Sequence, residues 1–137
     1  MKDIPIKEIY KNSFNPEKDS LISPMPEWYD KLINKTYSQL TLFDVTRMII
    51  QNKYMNIAAE KAKEFLEKNP LCGEYYDGHL LELMSKMDVS YLDKHFYNKI
   101  ILDAYNKSEA FDWGSMEEKT EFLKMLEGFK TKISGEF

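Results

Sequence analysis

The chain contains two histidines, and each has a carboxylate within three residues of it. His79 precedes Glu82 by three positions, and Asp93 precedes His95 by two. Residues three apart on a helix share a face, so His79 and Glu82 could offer two ligands to one metal ion, but a zinc site needs at least three. Cys72 is the next candidate ligand. We therefore predict no metal centre, with His79 as a partly exposed residue at a helix start and His95 at the surface.

Catalytic motifs give no stronger signal. Cys72 would need an activating histidine close in space to act as a nucleophile, and its neighbour Leu71 instead favours a small buried thiol. No pair of acids has the apolar flanks that raise a carboxyl pKa for general acid catalysis. With five glycines and no GxGxxG or phosphate-loop motif, a nucleotide cradle is not predicted. The sequence thus predicts a protein without enzymatic activity, cofactor or small-molecule substrate.

The cations argue against nucleic-acid binding. The net charge is −4, and Arg47 is the one arginine among 19 basic residues. Bidentate recognition of phosphate or guanine favours arginine, and affinity for DNA depends on cations that displace counterions. Arg47, Gln51 and Asn52 on a predicted helix over 42–52, with Lys53 directly after it, are residue types that a recognition helix uses, and a gel shift with duplex DNA would test that alternative. We predict no nucleic-acid partner.

Acidic residues are concentrated in the second half of the chain. Residues 1–69 hold 11 basic and 10 acidic side chains, whereas residues 70–137 hold 8 and 13. This half also holds the loop GEYYDG, with Tyr75 and Tyr76 between two glycines, and Trp113 within FDWG. Such an acidic and aromatic surface is either a solvated face or a landing site for a basic protein. We expect one tyrosine of the pair to point inward and the other outward.

The elements that would position these residues are helices. Residues 1–26 hold four of the five prolines and predict an irregular N-terminal arm, and residues 27–137 predict one helical domain. Apolar residues recur there at helical spacing and no window alternates as a strand would, so we predict an all-α single compact bundle of about six helices with antiparallel neighbours. Predicted boundaries are an N-cap at Thr41 with Asp44, a stop at Asn69-Pro70, a cap at Ser90 with Asp93, a linker over 106–115 and a capping box at Ser115 and Glu118.

Length and composition fit one globular domain. The chain has 137 residues, 43% of them hydrophobic and 14% aromatic. The charged N-terminus has no signal-peptide core, and no run approaches the length of a membrane span. A single cysteine suits a reducing compartment, so the sequence predicts a cytoplasmic location without a membrane partner.

At the helix boundaries the sequence resembles a known family. The run LTLFDVTRMIIQNKYMNIAAEKAKEFLEKNPLCGEYYDGHLLELM carries Ile50-Gln51, Asn69-Pro70, Gly-Glu-Tyr-Tyr at 73–76 and Gly-His-Leu-Leu at 78–81. These stand where immunity proteins of bacterial contact-dependent growth inhibition (CDI) carry similar residues. The resemblance covers roughly residues 38–105.

The resemblance implies binding rather than turnover. Proteins of this family bind the C-terminal toxin domain delivered by a neighbouring cell, commonly a nuclease, and block its active site or substrate surface. The alternative that the residues leave open is an acidic helical adaptor for a partner that is not a toxin. We expect toxin contacts from acidic and aromatic residues of the second half, namely Glu74, Tyr76, Asp77, Asp103, Glu109, Asp112, Trp113, Glu117, Glu118 and Glu121.

Overall fold

A computed structural model describes residues 4–6 and 26–135. Its chain divides into two compact units, Met1–Asp44 and Val45–Phe137. The predicted arm over 1–26 lies largely outside the described residues and stays a prediction. Within the described ranges, no helix has the length and apolar character needed to cross a membrane.

Every regular element among the described residues is helical, which confirms the all-α prediction. The single β feature recorded there is an isolated bridge between Pro5 and Thr36. Two short 3-10 helices span Tyr37–Gln39 and Val89–Tyr91. The α-helices whose bounds fall in the described residues are α1 (Pro26–Ile33), α2 (Leu42–Ile50), α3 (Met55–Lys68), α4 (His79–Ser85), α5 (Lys94–Ala110) and α6 (Met116–Ser134).

The first unit shows why a helix begins at Leu42. The Thr41 hydroxyl accepts a hydrogen bond from the Asp44 amide at 3.1 Å, and the Asp44 carboxylate accepts one from the Thr41 amide at 3.0 Å. This reciprocal pair satisfies two amides that the helix cannot. Lys35 Nζ lies 2.6 Å from Asp44 Oδ2, so the nearly inaccessible carboxylate has a cationic partner. The predicted cap at Thr41 is confirmed.

In the second unit, the apolar face of α3 is buried. Ala58, Ala62 and Leu66 are fully inaccessible and lie four residues apart, so they form one face of the helix. The helix ends at Lys68, before Asn69-Pro70, because the residue before proline disfavours the α conformation. The stop predicted at this dipeptide is confirmed.

The start of α5 differs from the prediction. The N-cap is Asp93, whose side chain accepts from the Phe96 amide at 3.1 Å. Ser90 lies in the second 3-10 helix, where its amide donates to Asp88 at 2.9 Å. The serine cap was wrong because an aspartate two residues earlier captures the Ser90 amide and starts a separate short turn.

The connection between α5 and α6 is shorter than predicted. Helix α5 continues to Ala110, so the linker spans 111–115 rather than 106–115. Ser108 is buried within the last turns, and its hydroxyl donates to the Tyr105 carbonyl at 2.8 Å, which lets a polar residue continue the helix.

The capping box at Ser115 is half confirmed. The Ser115 hydroxyl accepts from the Glu118 amide at 3.1 Å, as predicted. The Glu118 carboxylate, however, accepts from the Gly114 amide at 3.2 Å and not from Ser115. Both bonds satisfy donors at the start of α6, so the helix begins where the sequence indicated.

Helices α5 and α6 run antiparallel. Tyr97 near the start of α5 contacts Phe129 late in α6, with ring centroids 5.4 Å apart, whereas Trp113, after the end of α5, contacts Phe122 early in α6. Between these contacts, the Tyr105 hydroxyl donates to Glu127 at 2.6 Å. The antiparallel packing predicted for helices joined by a short connection is confirmed for this pair.

Candidate functional site

A groove of about 880 Å³ lies in the second unit between α4 with the loop before it and the first half of α6. We call it the α4–α6 groove. Its volume falls in the range of ligand-sized pockets. The lining residues are Tyr76, Asp77, Gly78, Glu82, Ser85, Lys86, Trp113, Ser115, Glu117, Glu118, Glu121, Phe122, Lys124 and Met125.

The structure brings six of the ten predicted contact residues into this groove. They come from two segments more than thirty residues apart: Tyr76 and Asp77 before α4, and Trp113, Glu117, Glu118 and Glu121 at α6. The other four do not line it. Glu74 is exposed on the loop before α4, Asp103 is half-buried on α5, and Glu109 and Asp112 are exposed at the end of α5 and just beyond.

Trp113 is half-buried, and a hydrogen bond and two ring contacts fix the position of its indole. Its indole N–H donates to the Ser108 carbonyl at 3.0 Å, and its ring centroid lies 5.1 Å from that of Phe122 and 4.7 Å from that of Phe111. Phe122 is buried and also lines the groove. The ring therefore both closes the end of the core and offers a fixed aromatic surface to the groove.

The two tyrosines of the loop are both exposed, so the expectation of one inward and one outward side chain is wrong. Tyr75 is 57% exposed and Tyr76 52%. The loop closes through hydrogen bonds from the Gly78 amide to the Leu71 carbonyl (2.7 Å) and from the Leu80 amide to the Cys72 carbonyl (3.3 Å). These bonds hold the loop base on the core and leave its tip outside.

His79, unlike the two loop tyrosines, has a buried side chain. It is the first residue of α4, as predicted, but only 6% exposed rather than partly exposed. Its ring lies 5.2 Å from that of Tyr75 and 4.5 Å from that of Tyr76, and Nδ1 is buried without a hydrogen-bond partner. Burial lowers the pKa of His79, with Glu82 opposing that shift. The imidazole is therefore kept neutral by the fold.

One wall of the groove carries a small polar network around Glu82. The Tyr76 hydroxyl donates to the Glu82 carboxylate, and Lys86 Nζ lies 3.6 Å from Glu82 Oε1. Burial, with the neighbouring Glu82, raises the pKa of Tyr76 to about 12, so the hydroxyl remains a donor. The network fixes the Tyr76 side chain at the groove edge.

Several groove residues were not predicted from the sequence. Glu82 was considered only as a metal ligand, and Ser85, Lys86, Lys124 and Met125 were not among the candidate residues. The spacing of Glu121 and Lys124 along one helix was the available signal, but nothing local indicated that α4 would lie opposite.

The candidate metal ligands do not form a cluster, and the candidate nucleophile is not activated. Among the described residues, no group of three or more histidine, cysteine, aspartate or glutamate side chains could hold a metal ion. His95 is exposed, and Cys72 is partly buried. Burial raises the pKa of Cys72 to about 11, so its thiol is protonated at neutral pH and weakly nucleophilic.

Helix α2 is shorter than the candidate recognition helix predicted over 42–52. Helix α2 ends at Ile50, so Gln51, Asn52 and Lys53 lie beyond its end, and Asn52 has a left-handed φ of 56°. The prediction of a helix over 42–52 was wrong in its last residues because the chain turns at Asn52, a residue type that tolerates this conformation.

Comparison with known families and proteins adds to these observations. A family model described as CDI immunity proteins matches residues 8–101, more than half of the chain. A search of curated proteins finds no match. The matched residues include α2, α3, α4 and the loop that carries Tyr76 and Asp77. The chain belongs to the family of CDI immunity proteins.

Proposed function

We propose that this protein binds the C-terminal domain of a CDI toxin and neutralises it through the α4–α6 groove. The observation that carries the proposal is the gathering of Asp77, Trp113, Glu117 and Glu121 at one groove, in a chain whose family is defined by toxin immunity. A rigid aromatic side chain surrounded by polar groups is a common form of binding hot spot. The protein acts by occupying the toxin rather than by catalysis.

The charge of the groove favours a basic toxin, and we propose a nuclease. An enzyme that cleaves nucleic acid must hold phosphates, so its substrate surface is positively charged. An acidic surface on the immunity protein uses that same charge to accelerate encounter and then covers the active site or the substrate surface. Glu74, Asp103, Glu109 and Asp112 lie outside the groove, and we assign them to long-range attraction or outer contacts.

The two walls of the groove differ in their relation to the family. The α4 wall falls within the matched residues 8–101, and the α6 wall, with Trp113, Glu117 and Glu121, follows them. We propose that the α6 wall supplies the contacts that select one toxin. Exchange of α6 surface residues would then change the partner without changing the fold.

The test is co-expression in the bacterial cytoplasm, the compartment in which we propose that the protein acts. The C-terminal domain encoded by the reading frame directly upstream is induced with and without this protein. Rescue of growth, together with a complex that co-purifies, is the expected result. Growth arrest that the protein does not relieve would overturn the proposal and favour an adaptor for another partner.

A further inference from the structure

The α4–α6 groove has a direction, because two contacts fix α4 beside α6. A Cβ on Gly78, just before α4, would lie 2.5 Å from the Phe122 ring, and at the other end of α4 Lys132 Nζ donates to the Ser85 carbonyl at 2.8 Å. The two helices therefore run in the same direction. Their starts form one end of the groove, and the second turn of α4 and the middle of α6 form the other.

The charges of the groove are unevenly distributed along it. Asp77, Glu117 and Glu121 lie toward the start of the helices, whereas Lys86 and Lys124 lie further along them. Glu117 and Lys124 are seven positions apart on α6, which corresponds to about 10 Å. Lys86 is paired with Glu82, so the excess of acidic side chains lies at the Trp113 end.

Three acids at the Trp113 end remain available to a ligand. Within the described ranges, the recorded salt bridges and side-chain hydrogen bonds include Glu82 with Lys86 and Tyr76, but none involves Asp77, Glu117 or Glu121. Glu117 and Glu121 lie four residues apart on α6, and like charges at this spacing repel each other, so a cation bound beside them is favourable.

We propose that the Trp113 end of the groove receives an arginine or lysine side chain of the toxin domain, with an apolar neighbour packed against Phe122 and Met125. The cation lies against the indole that the Ser108 carbonyl holds in place and is surrounded by Asp77, Glu117 and Glu121. This geometry combines cation–π attraction with charge neutralisation. The proposal rests on the proposed function only for the identity of the protein that carries this side chain.

The test uses the Trp28→Phe protein, in which Trp113 is the single remaining tryptophan. Its fluorescence is titrated with the peptide acetyl-Gly-Arg-Leu-Gly-amide and with the same peptide carrying citrulline, a neutral isostere of arginine. We expect a saturable change with the arginine peptide at a dissociation constant on the order of 1 mM, and binding about fivefold weaker for citrulline. Equal binding of the two peptides, or no saturable change, would overturn the proposal.

Two matched variants locate the response. Glu121→Gln removes a groove charge from an exposed position, and Glu67→Gln removes one from an exposed position of α3 outside the groove. Glu121→Gln should weaken the arginine peptide about threefold while Glu67→Gln leaves it unchanged, and an equal effect of both would place the cation elsewhere. Growth rescue without peptide binding would remove this inference and keep the proposed function, whereas peptide binding without rescue would do the reverse.

Discussion

Gly78 is the residue on which the shape of the groove depends most directly. Its φ of 84° is a left-handed conformation that residues with a Cβ adopt at a cost, and its missing side chain leaves room for the Phe122 ring. The two requirements coincide at the junction between the tyrosine loop and α4. The glycine thereby lets the loop that carries Tyr76 and Asp77 reach α6.

Replacement Gly78→Ala should therefore be costly. We expect a loss of about 2–4 kcal/mol of unfolding free energy, from backbone strain and from displacement of a buried ring, measured by urea denaturation. Gly135→Ala is the matched control, since Gly135 has a φ of 78° but no atom within 4 Å of an added Cβ, and should lose about 1 kcal/mol. Equal losses in the two variants would show that the Phe122 contact contributes nothing.

His79 makes stability depend on pH. Its pKa is lowered mainly by burial, against the opposing charges of Glu82 and Glu74 and with a smaller lowering from Lys86. The unfolded chain therefore binds a proton on His79 at a higher pH than the folded protein does. The contribution of neutral His79 to the free energy of unfolding is fully present above the unfolded pKa of about 6.5. It is lost as the pH falls from there toward the folded pKa.

The measurement is the urea midpoint between roughly pH 7.5 and pH 5.5. The natural protein should lose more stability over this range than His79→Phe, which keeps a ring beside the two tyrosines and does not titrate. His95→Gln, at an exposed histidine, should behave as the natural protein does. An identical slope for His79→Phe and the natural protein would contradict the burial argument.

At the scale of elements, a single lysine joins the end of α4 to α6. Lys132 Nζ donates to the carbonyls of Ser85 and Met87, which lie at and after the last turn of α4. Helix ends leave carbonyls without intrahelical donors, and a cation there is doubly favourable because it also meets the negative end of the helix dipole. A seven-residue helix has little stability of its own, so this contact matters for its position.

Lys132→Met should remove both bonds while keeping the aliphatic packing of the side chain. The expected loss is about 1.5–3 kcal/mol in urea unfolding, the usual range for hydrogen bonds to a charged group. Hydrogen exchange of the α4 amides should accelerate as well. Lys130→Met, at an exposed position of the same helix, is the control and should change stability by less than about 0.5 kcal/mol. Unchanged α4 exchange in Lys132→Met would mean that the helix is held by apolar packing alone.

At the scale of the whole molecule, the uneven charge distribution predicts how the protein meets its partner. The excess of acids lies in residues 70–137, and five of these acids line the groove. A basic toxin domain should then associate faster than an uncharged one, and salt should slow the association. The acidic excess and the groove lie in the same half of the chain, so the electrostatic attraction of a basic partner is directed toward the groove.

Charge reversal separates the groove from the net charge. Glu121→Lys and Glu109→Lys change the net charge by the same amount, but only Glu121 lines the groove. We expect Glu121→Lys to slow association with the toxin domain by about threefold to tenfold at low salt and to flatten its salt dependence, with a smaller effect from Glu109→Lys. Glu118 is left unchanged because it accepts a hydrogen bond at the start of α6. Stopped-flow kinetics would contradict the groove assignment if both variants slowed association equally.

The class of the fold, most helix boundaries and the family could be predicted from the amino-acid sequence. Thr41 with Asp44 and Ser115 with Glu118 bond to amides within a few residues, and Pro70 restricts the residue before it, so these effects can be inferred without knowledge of distant contacts. Where two local signals competed, as at Asp88 and Ser90, the prediction was wrong. The acidic and aromatic character of the groove residues was also predictable, because composition does not depend on packing.

Which of those residues lie together depends on packing between segments that are distant in the sequence. The groove joins the segment around Tyr76 to the segment around Trp113, and no local spacing relates them. Their approach depends on the parallel placement of α4 beside α6, which the ring of Phe122 against Gly78 fixes. His79 is buried at the start of α4 while both loop tyrosines are exposed, because backbone hydrogen bonds from Gly78 to Leu71 and from Leu80 to Cys72 hold the base of the loop on the core and leave its tip outside.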